Sequence, residues 1–203
     1  IKEFIKEHTD YLLSYNFTTF NINIKVNFYI SDCNDVRNID KYIKYVIIWL
    51  IICSTQAVNK CGSKREMHID IYLTPYKKQL PDNSMLVLDK DNVNSAFTYR
   101  CGGYLGITIF RKEEWFKVFI HESIHYFGFD TLLSNRELNN KISKLFNIDS
   151  SIDIHESYCE FWARLINIIF ISMINYNKSR LNKKKLNNQD KKNLEKDILD
   201  NLY

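Results

Sequence analysis

The stretch 117-KVFIHESIHYFGF-129 places two histidines and a glutamate inside a run that is otherwise almost entirely apolar. Ionisable side chains are seldom fully buried unless a partner or a bound group compensates them. His121, Glu122 and His125 form the pattern HExxH, and on a helix this spacing puts both imidazoles on one face, one turn apart. Two ring nitrogens at that separation can bind one Zn²⁺, and the glutamate beside them can act as a general base. The sequence therefore predicts a metal site on a buried helix.

The helix itself is predicted to run through 111-RKEEWFKVFIHESIHYF-127 and to end at Gly128, because glycine suits the left-handed position that follows a helix. Apolar residues surround nearly the whole cylinder, which is typical of a buried helix. In an alternative interpretation, the histidines are hydrogen-bonded core residues and Glu122 is ion-paired. Each of the three groups would then need its own partner, whereas a metal satisfies two of them together.

Two segments in the first half of the chain alternate between apolar and polar residues, as half-buried strands do. They are 20-FNINIKVNFYI-30 and 66-EMHIDIYLT-74, and His68 falls on the polar side of the second. A helix is predicted before the first strand, over residues 1–14, and a longer one between the two strands, over residues 38–60. The first half of the chain is thus predicted to mix strands with helices.

Shorter extended segments follow Pro75 and Pro81, namely 85-MLVL-88, 93-VNSAFTY-99 and 105-LGITIF-110. Beyond the HExxH helix, a short helix is predicted about residues 135–146 and a last core helix from Ile154 to about Asn175. Strands in front of buried helices are typical of an α+β domain. We expect a small mixed or antiparallel sheet packed against the HExxH helix, with further helices C-terminal to it.

A catalytic zinc site normally has three protein ligands and keeps a fourth position for water. Glu156 and Glu160 are candidates for the third ligand because they lie one turn apart at the start of the last core helix. Asp130 is another candidate, since 121-HESIHYFGFDT-131 partly fits the pattern HExxHxxGxxH, although the final ligand position holds Thr131.

Two other interpretations of the last helix stay open at this point. Asp153 and Glu156 have the spacing of a helix capping box. His155 and Cys159 stand four residues apart, a spacing that would allow a Cys/His nucleophilic pair. A small buried cysteine beside a histidine at a helix start explains the same two residues.

The segment HESIHYFG and, separated from its second histidine by 30 residues, the segment 156-ESYCEFW-162 together resemble the gluzincin class of zinc metallopeptidases. In that class, HExxH on one helix is joined by a glutamate from a second helix, and in its thermolysin-like branch an acidic residue four positions later supports the first histidine. The resemblance implies the zinc ligands His121, His125 and Glu156, the general base Glu122 and the supporting carboxylate Glu160.

This chain departs from the familiar gluzincins in two respects. Its spacer is longer, and His155 stands where an asparagine precedes the ligand glutamate. The helix pair is also similar to one in uncharacterised proteins of large DNA viruses, which would make this a viral protein.

The function that the resemblance implies is hydrolysis of peptide or related amide bonds in a peptide or protein substrate. Either 93-VNSAFTY-99 or 105-LGITIF-110 would supply an edge strand that pairs with the substrate. The alternative from another class is a catalytically inactive zincin-like binding module in which the metal is structural or absent. Retention of Glu122 favours the enzyme, because a structural site has no use for a base.

Five cysteines with no CxxC pair and no regular spacing favour a reducing compartment, such as the cytoplasm, or the host cytoplasm if the protein is viral. The most apolar runs, 45-YVIIWLIIC-53 and 165-LINIIFISMI-174, have about ten residues each, fewer than the roughly 18 to 20 that span a bilayer. Both are interpreted as core helices, and no membrane span is predicted.

The net charge of +4 belongs to the end of the chain. Residues 178–203 contain eight Lys or Arg and four Asp or Glu, so this segment alone carries +4 and the other 177 residues balance. We therefore predict a catalytic domain at residues 1–177 and a basic C-terminal helical extension or tail at residues 178–203. No aromatic side chains interleave with the lysines at 183–185, which argues against contact of the tail with single-stranded nucleic acid.

Overall fold

The computed structural model describes residues 2–19, 21–56, 66–78, 81, 94–99, 106–131, 136–149, 152, 154–182, 192–193, 196–198 and 200. Its elements in chain order are α1 (Lys2–Glu7), β1 (Tyr11–Thr19), β2 (Ile22–Ile30), α2 (Cys33–Val36), α3 (Ile39–Gln56), β3 (Glu66–Leu73), β4 (Ala96–Thr98), β5 (Ile107–Ile109), α4 (Trp115–Tyr126), α5 (Arg136–Phe146) and α6 (His155–Asn182). This composition confirms the α+β class. The predicted strand at 85–88 and the capping residue Asp153 lie outside the described residues.

The sheet has five strands in the order β1-β2-β3-β5-β4. The two central pairings, β2 with β3 and β3 with β5, are parallel, while the outer strands β1 and β4 are antiparallel to their neighbours. The sheet is therefore mixed, one of the two arrangements that the sequence predicts. Among the described strands, β5 is paired on both sides and β4 on one, so of the two predicted edge-strand candidates only the one that contains β4 lies at an edge of the described sheet.

The alternating residues of β2 and β3 give the sheet one buried face. Val26, Phe28, Ile69 and Ile71 on that face are fully buried. The ring of Phe28 meets the ring of Trp115 edge to face, with centroids 6.1 Å apart. Since Trp115 begins α4, this contact seats the HExxH helix on the sheet, and α4 also contacts β4, β5 and α6. The apolar cylinder seen in the sequence is thus accounted for by packing on several sides.

The HExxH helix begins later than the predicted Arg111. Glu114 has a left-handed backbone (φ 57°), so the helix starts at the next residue. The preceding turn is tied to the end of β3, because the Lys112 amide donates a hydrogen bond to the Thr74 carbonyl (2.9 Å) and the Thr74 hydroxyl donates one to the Phe110 carbonyl (2.8 Å). These bonds to the sheet hold the segment outside a helical conformation.

The predicted opening helix over residues 1–14 is wrong in its second half. The helix ends at Glu7, and Tyr11–Thr19 is the strand β1, antiparallel to β2. The hydroxyl of Thr9 donates a hydrogen bond to the Ile5 carbonyl and marks the helix end. Tyr, Phe and Thr in 11-YLLSYNFTT-19 favour a strand, and alternate residues of it are partly buried against the core.

The last helix, α6, extends to Asn182 and so crosses the predicted boundary between residues 177 and 178. By length and composition alone, its His155–Asn177 part is sufficient to cross a membrane, a test that core helices of soluble proteins also pass. At its start, Cys159 and Ala163 are fully buried. The three cysteines in the described part of the chain, Cys33, Cys53 and Cys159, are free thiols.

Two glycines with positive φ provide a test of the fold. Gly106 (φ 70°) lies so close to β3 that an added Cβ would overlap the His68 carbonyl oxygen. We expect Gly106→Ala to lower the free energy of unfolding by about 3 kcal/mol or more, since it adds a backbone clash to left-handed strain. Gly128 (φ 72°) also has a left-handed backbone, and the strain of placing a Cβ there should make Gly128→Ala cost about 1 to 2 kcal/mol. Equal midpoints for the two variants in urea unfolding would contradict this account.

Candidate metal centre

Two imidazoles from α4 and one carboxylate from α6 converge on one point. The Nε2 atoms of His121 and His125 are 3.3 Å apart. One carboxylate oxygen of Glu156 lies 3.1 Å from His121 Nε2, and the other lies 3.3 Å from His125 Nε2. These three residues therefore form a group that can hold a metal ion.

The separations fit the ligand shell of a small divalent ion. Ligands held at about 2.0 to 2.1 Å in a tetrahedral site are about 3.3 Å from one another, which follows from simple geometry applied to zinc bond lengths. The 3.3 Å between the two Nε2 atoms matches one edge of such a tetrahedron, and each Nε2 has a different oxygen of the Glu156 carboxylate at 3.1 to 3.3 Å. Two imidazoles and a carboxylate also leave a fourth position, as catalytic sites do.

The other ring nitrogens explain why both Nε2 atoms face this point. Nδ1 of His125 lies 2.9 Å from a carboxylate oxygen of Asp130, and Nδ1 of His121 lies 3.5 Å from one of Glu160. A carboxylate that accepts a hydrogen bond from Nδ1–H leaves the Nε2 lone pair available for a metal. With two such lone pairs and a carboxylate facing one another, the site needs either protons or a cation between them.

Asp130 owes its position to the way α4 ends. Gly128 is left-handed, its amide donates to the His125 carbonyl (3.1 Å), and the next amide, of Phe129, donates to the Ile124 carbonyl (3.0 Å). This pair of bonds is the Schellman motif. It turns the chain back along the last turn of the helix and brings the fully buried Asp130 beside the ring of His125.

Glu160 belongs to an ion-pair network at the back of His121. It accepts hydrogen bonds from Lys117 (3.0 and 3.2 Å) and from Arg164 (2.7 Å). Burial raises the pKa of this carboxyl, but the bonds from Arg164 and Lys117 outweigh burial and lower it. Glu160 is therefore an ionised group that contacts Nδ1 of His121 and not the Nε2 side, where Glu156 lies.

The electrostatics of the three converging groups reflect their mutual contacts. Burial lowers the pKa of His125, but hydrogen bonds with Cys159, Glu156 and Asp130 more than offset it and raise the pKa to about 11. Hydrogen bonds with His121 and His125 hold the pKa of Glu156 well below its usual range. Without a metal ion, a proton on His125 thus offsets the charge of the Glu156 carboxylate.

Glu122 occupies a different environment from the other carboxylates. Burial raises its pKa, and the charge of Glu156 acts in the same direction, while His121 and His125 oppose the shift. Within the part of the chain that the structure describes, Glu122 makes no hydrogen bond or ion pair. A carboxylate with a raised pKa and no fixed partner is suited to take up and return a proton.

This geometry distinguishes the three candidates for the third ligand. The structure brings Glu156 to the Nε2 atoms and places Glu160 and Asp130 behind the two rings. Both candidates on α6 share one helix face, so their spacing alone does not distinguish them. The supporting role of Asp130 was missed, because it depends on the turn after Gly128. Lys117, which holds Glu160, carries no motif that would have identified it.

Cys159 and His155 do not form an isolated nucleophilic pair. The Cys159 sulfur lies 3.7 Å from His125 Nδ1, and His155 Nδ1 lies 3.6 Å from Asp130. Burial raises the pKa of the Cys159 thiol, which disfavours the nucleophilic thiolate. His125, Asp130 and Cys159 are also near enough to one another to hold a metal. However, His125 and Asp130 are already hydrogen-bonded to each other at 2.9 Å, so an ion bound by this second group would have to break that bond.

No protein-family model, curated protein or solved structure matches this chain. The resemblance to the gluzincins is therefore carried by the residues of the site themselves.

The contact of Asp130 with His125 yields a prediction about affinity. Asp130→Asn keeps the size of the side chain and removes its charge, so the ring is held less firmly and its Nε2 becomes a weaker donor. We expect metal affinity, measured by competition with a chromophoric chelator, to fall about 10- to 100-fold. The matched control is Asp40→Asn, at an exposed residue whose partner is the Tyr15 hydroxyl. Unchanged affinity in the Asp130 variant would show that the carboxylate does not support the site.

The pKa of His125 predicts that metal binding releases a proton. Because this pKa is about 11, the ring is protonated at neutral pH, and an ion must displace that proton to reach Nε2. We expect about one proton to be released per ion from this ring, and apparent affinity to rise by about tenfold for each pH unit near neutrality. Titration calorimetry in buffers of different protonation enthalpy measures the number of protons released per bound ion. Release of no proton would mean that His125 is neutral before the ion binds.

Proposed function

We propose that this chain is a zinc-dependent metallopeptidase with a zincin-like domain that hydrolyses peptide bonds. The observation that carries the proposal is the convergence of the Nε2 atoms of His121 and His125, 3.3 Å apart, on the carboxylate of Glu156, whose two oxygens lie 3.1 and 3.3 Å from them. Nitrogen and oxygen donors in this number and at these distances are what zinc prefers in catalytic sites. The proton-accepting Glu122 beside them distinguishes a catalytic from a structural site.

Each residue of the site has a distinct role in this proposal. His121, His125 and Glu156 would hold the ion, and Asp130 and Glu160 would orient the two rings. Zinc bound in such a site supplies Lewis-acid chemistry, polarising a carbonyl and lowering the pKa of a water ligand toward about 7. Glu122 would accept the proton of the attacking water and deliver it to the leaving amine, for which its raised pKa suits it.

The position of β4 supports a peptide as the substrate. It is the last strand in the sheet, and among the described residues it pairs only with β5. It also contacts α4, the helix that carries HExxH. An extended peptide added along the free edge of β4 would make main-chain hydrogen bonds beside the site. The exposed Phe97 and Tyr99 lie within and just after this strand.

Substitution of the general base separates catalysis from metal binding. We expect Glu122→Gln to keep its zinc and to lose hydrolysis of a fluorogenic peptide library by about 10²- to 10⁴-fold, since the amide cannot accept the proton. The matched control is Glu137→Gln, on the exposed surface of α5. His121→Ala should lose zinc and activity together.

The alternative of an inactive binding module makes the opposite prediction. Wild-type protein that contains one zinc per chain, as measured by elemental analysis, and cleaves no peptide of the library would contradict the enzymatic proposal. Equal turnover by the wild type and Glu122→Gln would contradict the role of the base.

A further inference from the structure

An apolar groove lies between α3 and α6, and its lining includes none of the three residues that converge at the metal centre. Its volume is about 540 Å³. The side chains that line it are almost all apolar and include Ile48, Trp49, Ile52, Ile169, Phe170 and Met173. Three of these remain substantially exposed: Ile48 (48%), Ile52 (43%) and Met173 (51%). We call this surface the α3–α6 face.

On the α3–α6 face, α6 exposes more apolar surface than a helix packed into the core does. Cys159 and Ala163, near the start of α6, are buried, so this end of the helix is well packed. Further along, α6 remains apolar, yet only 17% of its most apolar stretch is buried. Contiguous exposed apolar surface of this kind marks an interaction site in soluble proteins.

Basic residues lie beside the α3–α6 face on α3, and others follow the groove-lining Asn177 in the sequence. On α3, the exposed Lys44 lies one turn before Ile48 and the exposed Lys41 lies two turns before it, on the same side of the helix. At the end of α6, Asn177 still lines the groove. The sequence then continues as 178-KSRLNKKK-185, which has five basic and no acidic residues.

We propose that the α3–α6 face docks this protein on an anionic membrane surface. Apolar side chains that enter the boundary between headgroups and acyl chains, with basic residues beside them, are the two features that bind a helix to such a surface. The complementary charge of the lipid headgroups is what favours a membrane over a neutral apolar partner. This docking is independent of zinc binding and goes beyond the proposed peptidase activity.

The geometry of α6 favours lying on the membrane over crossing it. Glu156 and Cys159 sit at the start of the helix and contact His125 on α4. A spanning α6 would have to separate from α4, which would dismantle the metal centre. Binding along the surface leaves these contacts intact and buries only side chains that are already exposed.

Co-sedimentation of the full chain with vesicles tests the proposal. We expect binding to phosphatidylcholine vesicles that contain phosphatidylserine, and much weaker binding to vesicles of phosphatidylcholine alone. Replacement of Lys183, Lys184 and Lys185 by Gln should weaken binding about a hundredfold, at roughly fivefold for each lysine. The charge-matched control replaces the exposed Lys6, Lys25 and Lys141 by Gln and should bind almost as the wild type does.

The apolar contribution is tested by a second pair of variants. The double variant Ile48→Asn and Met173→Asn should lose vesicle binding at least tenfold, whereas Leu145→Asn, at an exposed position on α5, should not. Circular dichroism and zinc content report folding and the metal centre separately, so a failure of the peptidase proposal leaves this test valid.

Two outcomes would overturn the docking proposal. One is binding to phosphatidylserine vesicles that is absent or insensitive to the Ile48 and Met173 changes. The other is a stable dimer in sedimentation velocity that the same double variant dissociates, since this would assign the α3–α6 face to a second copy of the chain.

Discussion

The packing of α4 against α6 is the contact on which the candidate site depends. The ligands reside on different helices, so neither element holds a metal by itself. The sheet fixes α4 through Trp115 and Phe28, and α6 is fixed against α4 by the buried Cys159 and Ala163. Only with both contacts made does the Glu156 carboxylate reach the two Nε2 atoms. The candidate site is therefore complete only when this packing is in place.

The charges around the two imidazoles also bear on what the candidate site can hold. Four carboxylates surround two imidazoles: Glu122, Asp130, Glu156 and Glu160. Lys117 and Arg164 offset Glu160, which leaves an excess of negative charge in a partly buried region. Ionised carboxylates in such surroundings require compensation. A proton on His125 supplies part of it when no ion is bound, and a divalent cation would supply more. The carboxylates and imidazoles are thus arranged so that they could hold a cation.

The sequence predicts those features of the fold and site that depend on local periodicity. Alternation predicted β2 and β3, and the apolar run predicted α4 with its end at Gly128. Features that depend on contacts distant in sequence were not accessible. The identity of β4 as an edge strand required knowing which strands pair, and Tyr11–Thr19 was missed because its apolar residues also fit the end of a helix. Asp130 was recognised as a possible ligand. Its position behind His125 depends on the left-handed backbone of Gly128 and on the Schellman motif after the helix, which the sequence alone does not give.

α6 also connects the metal centre with the α3–α6 face, and its length keeps them apart. Glu156 and Met173 are separated by 17 residues of continuous helix, or about 26 Å at 1.5 Å per residue. A surface docked at the far end of the helix would therefore leave the Nε2 side of the site and the free edge of β4 open to substrate. It would also leave the contacts of Glu156 and Cys159 with α4 intact, because these residues lie at the start of the helix, whereas Phe170 both lines the groove and meets the ring of Phe116 on α4, with centroids 5.1 Å apart. The proposed metal centre and the proposed docking face would give the two ends of this partly buried apolar helix separate uses.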